Sequence, residues 1–238
     1  ARRPVPPMEK PGDISTTELI SRLQARSAFW QAHQAKLEIK GESPKGKFRF
    51  QSLIVAQLPD RVRLEAYTTW GQTAGVLVID GEDSSLYIPS EKVIYSASRA
   101  EDLVRYFLGV PIPIEVFGYS LIASVPPDQL DAWQIERDSS GWQATVQPPN
   151  QSLRFSWQFL SRPAAMQSLA VRGGQSEYTV SYEPAVTLDM QTVPKKINFV
   201  AAQWQMEVSV SQMRTTRGLQ PAVFTLPFPQ GVRKVSFD

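Results

Sequence analysis

The chain has no cysteine, which excludes disulfides, thiolate nucleophiles and cysteine-ligated metal sites. It has one histidine, His33, so a histidine metal site or a Ser-His-Asp arrangement would have to converge on a single ring. That ring, beside a helix-to-strand junction, is expected at the surface. No Walker loop, G-x-G-x-x-G turn or G-x-S-x-G elbow occurs, so neither an enzyme nor a cofactor is expected. Apolar runs such as Val76 to Ile79 are far too short to span a bilayer as a helix. Basic and acidic residues nearly balance, with Lys+Arg 25 and Asp+Glu 23, and the basic ones form no block, which argues against a nucleic-acid partner.

What the sequence does have is enough apolar residue, 42% of 238, to bury one substantial core, so a single domain over residues 13–238 is expected. Residues 1–12 carry Pro4, Pro6, Pro7 and Pro11 without apolar periodicity, which predicts an extended tether outside the core. Arg2 and Arg3 would then lie near anionic head groups. The opening Ala1-Arg2-Arg3-Pro4 reads as the start of a trimmed or mature chain whose leader has been removed.

Helical signals come in two places. Ser15 and Glu18 form an S-x-x-E capping box, with Ile14 and Leu19 as a hydrophobic staple. A helix is predicted from there to about Phe29, with Leu19, Ile20 and Leu23 on its buried stripe and Arg22, Gln24 and Arg26 elsewhere. Ser98 and Glu101 form a second capping box before Leu103, Val104, Phe107 and Leu108, and Gly109 is the stop. Pro111-Ile112-Pro113 then leads into a third helix, on which Ile114, Phe117 and Leu121 share a face.

Elsewhere the period is two. Leu37 and Ile39 alternate with lysine and glutamate, followed by Phe48 and Phe50, then by Val62 and Leu64. In the second half Trp133 and Ile135, Trp142 to Val146, Phe155 to Phe159, Tyr178 to Tyr182, Ile197 to Phe199 and Met206 to Val210 do the same. Ser43-Pro44-Lys45-Gly46, Pro59-Asp60 and Asp80-Gly81-Glu82-Asp83 supply turns, and the Asp-Gly pair is a hairpin rather than a cation site. The expected fold class is mainly β with a few helices (α+β): about ten or eleven antiparallel strands in one curved half-barrel sheet under a helical lid. Bulky rings on a concave face either line a cavity or fill it.

The stretch from Ala100 through Phe107-Leu108-Gly109-Val110-Pro111-Ile112-Pro113 to Leu121-Ile122-Ala123-Ser124-Val125-Pro126 resembles the helix, G-x-P-I-P link and second helix of LolB-like outer-membrane lipoproteins. Arg61 to Gly71 is similar to that family's strand and exposed loop, and Tyr178 to Tyr182 with Val193 to Ile197 to its closing strands. The tail from Leu219, with Phe224-Thr225-Leu226-Pro227, is closer in flavour to LolA-like relatives.

The resemblance implies a half-open barrel that takes acyl chains of lipoproteins or other lipids and passes them to the outer-membrane surface. A periplasmic LolA-like carrier would be a partner, and a lipidated cysteine just before Ala1 would be the anchor in the bacterial envelope. The lipid-binding cavity would be lined by Leu37, Ile39, Phe48, Phe50, Val62, Leu64, Phe107, Phe117, Leu121, Trp133, Phe155 and Trp157. Trp70, among small polar neighbours, either folds back onto the sheet or projects as the membrane-contacting residue of its loop. The alternative is a structural or sensory lipoprotein of the same fold, with a filled cavity, acting through protein contacts.

Overall fold

Helix α1 (Thr16–Phe29) begins at the expected cap: the Ser15 side chain accepts the Glu18 backbone N–H at 3.1 Å. Ile14 and Leu19, the staple pair, are both buried in the core. The computed structural model describes residues 14–137, 139, 141–148, 153–161, 164–173, 177–226 and 230–237. The tether expected over residues 1–12 lies outside them, as does Pro227 of the tail motif.

A meander follows: β1 (Ala32–Ser43), β2 (Gly46–Gln57), β3 (Arg61–Tyr67), β4 (Thr73–Asp80), β5 (Asp83–Ile88) and β6 (Val93–Ala97). Its turns are those the sequence marks. Ser43 faces Gly46, and Asp80 faces Asp83 around Gly81, whose φ of +65° suits glycine. Helices α2 (Ala100–Leu108) and α3 (Ile114–Leu121) and a 3-10 turn (Pro127–Ala132) come next. A second meander runs through β7 (Gln134–Arg137), β8 (Gly141–Val146), β9 (Arg154–Leu160), β10 (Ala165–Arg172), β11 (Tyr178–Thr187), β12 (Lys196–Ala201) and β13 (Gln205–Thr215). The tail adds a 3-10 turn (Pro221–Phe224) and β14 (Arg233–Ser236).

The strands form one open, curved, 14-stranded sheet, more than the ten or eleven expected. Two of the extra strands had weak patterns. In β10 the register shifts between Met166 and Ser168, which breaks the alternation, and β14 is exposed along its whole length.

Strand order is β14-β6-β5-β4-β3-β2-β1-β13-β12-β11-β10-β9-β8-β7. The two meanders therefore lie side by side, joined where β1 pairs with β13. This order puts β6 and β7 on opposite flanks, so the connection between them, residues 98–133, has to cross the sheet. It crosses on the concave side, because the apolar faces of α2 and α3 and the inward residues of both meanders make one cluster.

Three local expectations are corrected. The N-cap of α2 is Arg99, which makes no side-chain cap bond, so Ser98 does not close a capping box; Glu101 pairs with Arg99 instead. His33 is fully buried, since it sits at the inward-facing start of β1 with Ala35, Leu37 and Ile39. Arg26 is also fully buried. It follows Leu19 by seven residues and Leu23 by three, which places it on their stripe rather than on the wet face.

The convex face is partly covered too. Strand β4 is buried on both sides: Leu77 and Ile79 face the main core, while Val76 and Val78 pack against Phe224 from the tail. Arg63 of β3 holds the tail there, donating to the carbonyls of Val223 at 3.3 Å and Thr225 at 3.0 Å.

Candidate ligand site between the sheet and the helical cover

All twelve residues expected to line the cavity meet in one cluster between the sheet and its cover. Leu37, Ile39, Val62, Phe117, Leu121, Phe155 and Trp157 are buried members of it. Phe48, Phe50, Leu64, Phe107 and Trp133 are half-buried around its margin. Phe48, Phe50 and Phe107 stack into a ladder, with ring centroids 6.2 and 5.5 Å apart, leading from the β1–β2 hairpin to the end of α2. On the other arm of the sheet Trp133 stacks on Trp157 at 5.0 Å, and Trp157 on Phe155 at 5.8 Å.

Free space inside this layer is small. A seam of ≈ 20 Å³ runs under the cover, lined by Ile39, Leu64, Val104, Leu108, Val110, Ile112, Ile114, Phe117 and Met206. A second, of ≈ 30 Å³, lies between α3 and Phe155, Trp157 and Leu169. Each has room for about one water, against roughly 300–1,000 Å³ for an ordinary ligand pocket. Sequence reasoning missed the residues of the G-x-P-I-P link, Val110 and Ile112, as lining residues; their position between two helix faces was the available signal.

Both seams adjoin an open cleft of ≈ 580 Å³ beneath the N-terminal ends of α2 and α3. Ile114 is shared with the first seam, and Val116 and Phe155 with the second. Ile79, Leu153 and Pro113 make its apolar wall, and Asp60, Glu101, Glu115 and Arg99 its polar rim. Desolvation by burial raises Glu115 above the usual carboxylate range, and the charges of Asp128 and Asp60 push in the same direction. The arrangement is thus a ligand-sized mouth opening onto a closed apolar interior.

One end of the cover is pinned by Arg26. Its guanidinium donates to the carbonyls of Ile122 at 2.6 Å, Ala123 at 3.2 Å and Thr192 at 2.6 Å, and to that of Asp189. The first two are orphan carbonyls at the C-terminal end of α3, where a positive charge is also favoured by the helix dipole. Burial lowers Arg26 to about 10, partly offset by Asp189 and Tyr182, so it is charged at neutral pH. Ser27 reinforces the joint, 2.6 Å from the Ser124 hydroxyl and donating to the Val125 carbonyl at 2.9 Å. Among the described residues no group of three or more His, Asp or Glu could hold a metal ion.

Trp70 stands at the tip of the β3–β4 turn, 89% exposed. The turn is tight: Thr68 N–H donates to the Gln72 carbonyl and Gly71 N–H to the Thr68 carbonyl, with Gly71 at φ +76°. Of the two readings of this tryptophan, projection is the one observed. At the opposite end of β3, Asp60 belongs to the rim of the mouth.

No protein-family model matches the chain, and no curated protein matches it in sequence. Solved structures do match it in fold. A domain from Vibrio parahaemolyticus named for outer-membrane lipoprotein sorting aligns over 88% of this chain and 97% of its own, with a TM-score of 0.58 at 10% identity. A LolA superfamily protein from Nitrosomonas europaea aligns over 90% and 98%, at 0.60 and 10% identity. A DUF1329 family protein from Desulfovibrio piger aligns over 88% and 96%, at 0.60 and 9% identity. At 9–10% identity, what this chain shares with these three proteins is the fold.

Proposed function

We propose that this chain is a non-enzymatic envelope carrier that takes acyl chains of lipoproteins or lipids between its concave sheet and helical cover and delivers them to the outer membrane. The observation that carries the reading is the ligand-sized cleft, which adjoins an apolar layer sealed only by side chains and the cover. Acyl chains need no polar recognition there, since each buried methylene contributes about 0.8 kcal/mol. Entry requires the cover to lift, because the seams are far too small for a chain as they stand. Trp70 then contacts the membrane interface, where an indole is favoured. The molecule works from the periplasmic side, anchored by a lipid upstream of Ala1, and receives cargo from a LolA-like carrier.

Binding of a fluorescent lipopeptide tests this. The wild type is expected to bind, and Leu64→Glu, at the margin of the cluster, to bind weakly while remaining folded; equal binding by both would sink the cavity. Trp70→Glu is expected to bind cargo normally but to slow its transfer to vesicles. Wild-type transfer rates would remove the membrane role.

The second reading, a filled-core lipoprotein acting through protein contacts, is favoured by the smallness of the two seams. Organic extraction of the purified protein followed by mass spectrometry separates the two: a carrier yields bound lipid.

A further inference from the structure

Strand β14 differs from its neighbours. It pairs in parallel with β6 in a sheet whose other pairings are antiparallel among the described residues, spans Arg233–Ser236, and is exposed throughout. The stretch before it is seated firmly, with Phe224 2% exposed against β4 and Arg63 on two of its carbonyls. The tail is therefore anchored at one end by a buried ring and held more lightly at the other by exposed residues, four of which pair with Val93–Ser96 of β6, flanked by Arg233 N–H on the Lys92 carbonyl and Phe237 N–H on the Ser96 carbonyl. A short edge strand with one neighbour and no buried face is the kind of element that opens at low cost.

The light end touches the cover. The Phe237 ring lies 5.1 Å from Tyr106 of α2 and 5.3 Å from Tyr95 of β6, and those two rings lie 4.7 Å apart. The tyrosine hydroxyls are 3.0 Å from each other, and both donate to Glu91. The β1–β2 hairpin also reaches Tyr106: the Lys45 ammonium stands 4.6 Å from its ring centroid and donates to its carbonyl. Tyr106 is thus the point where α2 is tied both to the hairpin and to the tail.

We propose that β14 is a releasable strap: with Phe237 seated on Tyr95 and Tyr106 it holds α2 down on the apolar layer, and its detachment from β6 frees α2 to lift. The inference rests on the reading of the helices as a cover over a ligand site. Strap release leaves the tail attached through Phe224 and Arg63, so the motion is local and reversible.

Because the chain lacks cysteine, a spin-label pair can be introduced without background, as Arg105→Cys on α2 and Lys36→Cys on the outer face of β1. Pulsed EPR distances without lipid are then compared for the intact tail, Phe237→Ala, Phe237→Trp and deletion of residues 230–238. The intact chain and Phe237→Trp are expected to give one narrow distance, and Phe237→Ala and the deletion a second, longer population. Unchanged distances in Phe237→Ala, whose ring is 42% exposed, would overturn the strap, whatever the deletion does. The readout needs no ligand, so a cover that opens in a protein that never binds lipopeptide would count against the carrier reading alone.

Discussion

Gly75 lies directly beneath Phe107: a Cβ added to this strand residue would stand 2.9 Å from the tip of the phenylalanine ring. Helix α2 can settle onto β4 only because that position has no side chain. Gly75→Val is therefore expected to overpack the contact and cost about 1–3 kcal/mol of stability in urea denaturation. Combining it with Phe107→Ala should recover part of the loss, because the clash is between these two residues. An additive double variant would show that the strain lies elsewhere.

Arg26→Met should cost at least ~3 kcal/mol, since it removes the donor shared by carbonyls from two separate segments and leaves those of Ile122 and Ala123 buried without partners. Arg26→Lys should restore little, because an ammonium on a single stem cannot span the positions that a planar fork reaches. Thermal unfolding with the wild-type midpoint in either variant would dismiss the joint.

Burial lowers His33 from 6.5 to about 4, despite the hydrogen bond from its Nδ1 to the Trp30 carbonyl. The native ring stays neutral to about pH 4, whereas the unfolded chain takes up its proton near pH 6.5. Stability from this residue is complete above pH 6.5 and declines as the pH falls to about 4, by roughly 3 kcal/mol in all. His33→Gln should remove that slope in unfolding free energy. An identical pH profile in the variant would mean that other groups carry it.

Phe224→Ala should cost about 3–5 kcal/mol, as for a buried phenylalanine in a true core, although the residue lies in a tail on the convex face. A loss below about 1 kcal/mol would mark the tail as loosely held.

Much of this architecture could be read directly. The Ser15 cap, the hairpin turns, the inward aliphatic side chains of β1 and the inward rings of β2, β8 and β9 follow from local chemistry, which acts over a few residues. That the twelve residues proposed as a lining would meet in one cluster was legible for the same reason: each lies on the apolar side of its element. Arg26 and His33 were misplaced because charge or polarity was given priority over position. Both sit on faces that their neighbours Leu23 and Ala35 mark as buried. The tail was opaque for a different reason. Its exposed β14 has no pattern, and Phe224 is buried by a sheet face whose apolar residues, Val76 and Val78 with Val55 and Tyr87, lie far away in the chain.

The pairing of β1 with β13 sets a kinetic demand on the molecule. Within each meander, strands pair with chain neighbours and can zip as soon as they exist, but His33 must wait for Thr215. Closure entropy is met before any reward at this junction, which makes it the natural candidate for the slow step. Until then two curved half-sheets each present a long unpaired edge, the exposed state in which such chains aggregate. Pulse-labelled hydrogen exchange during refolding should find the amides joining β1 to β13 protected after those joining β1 to β2. Simultaneous protection would mean that the two halves never exist apart.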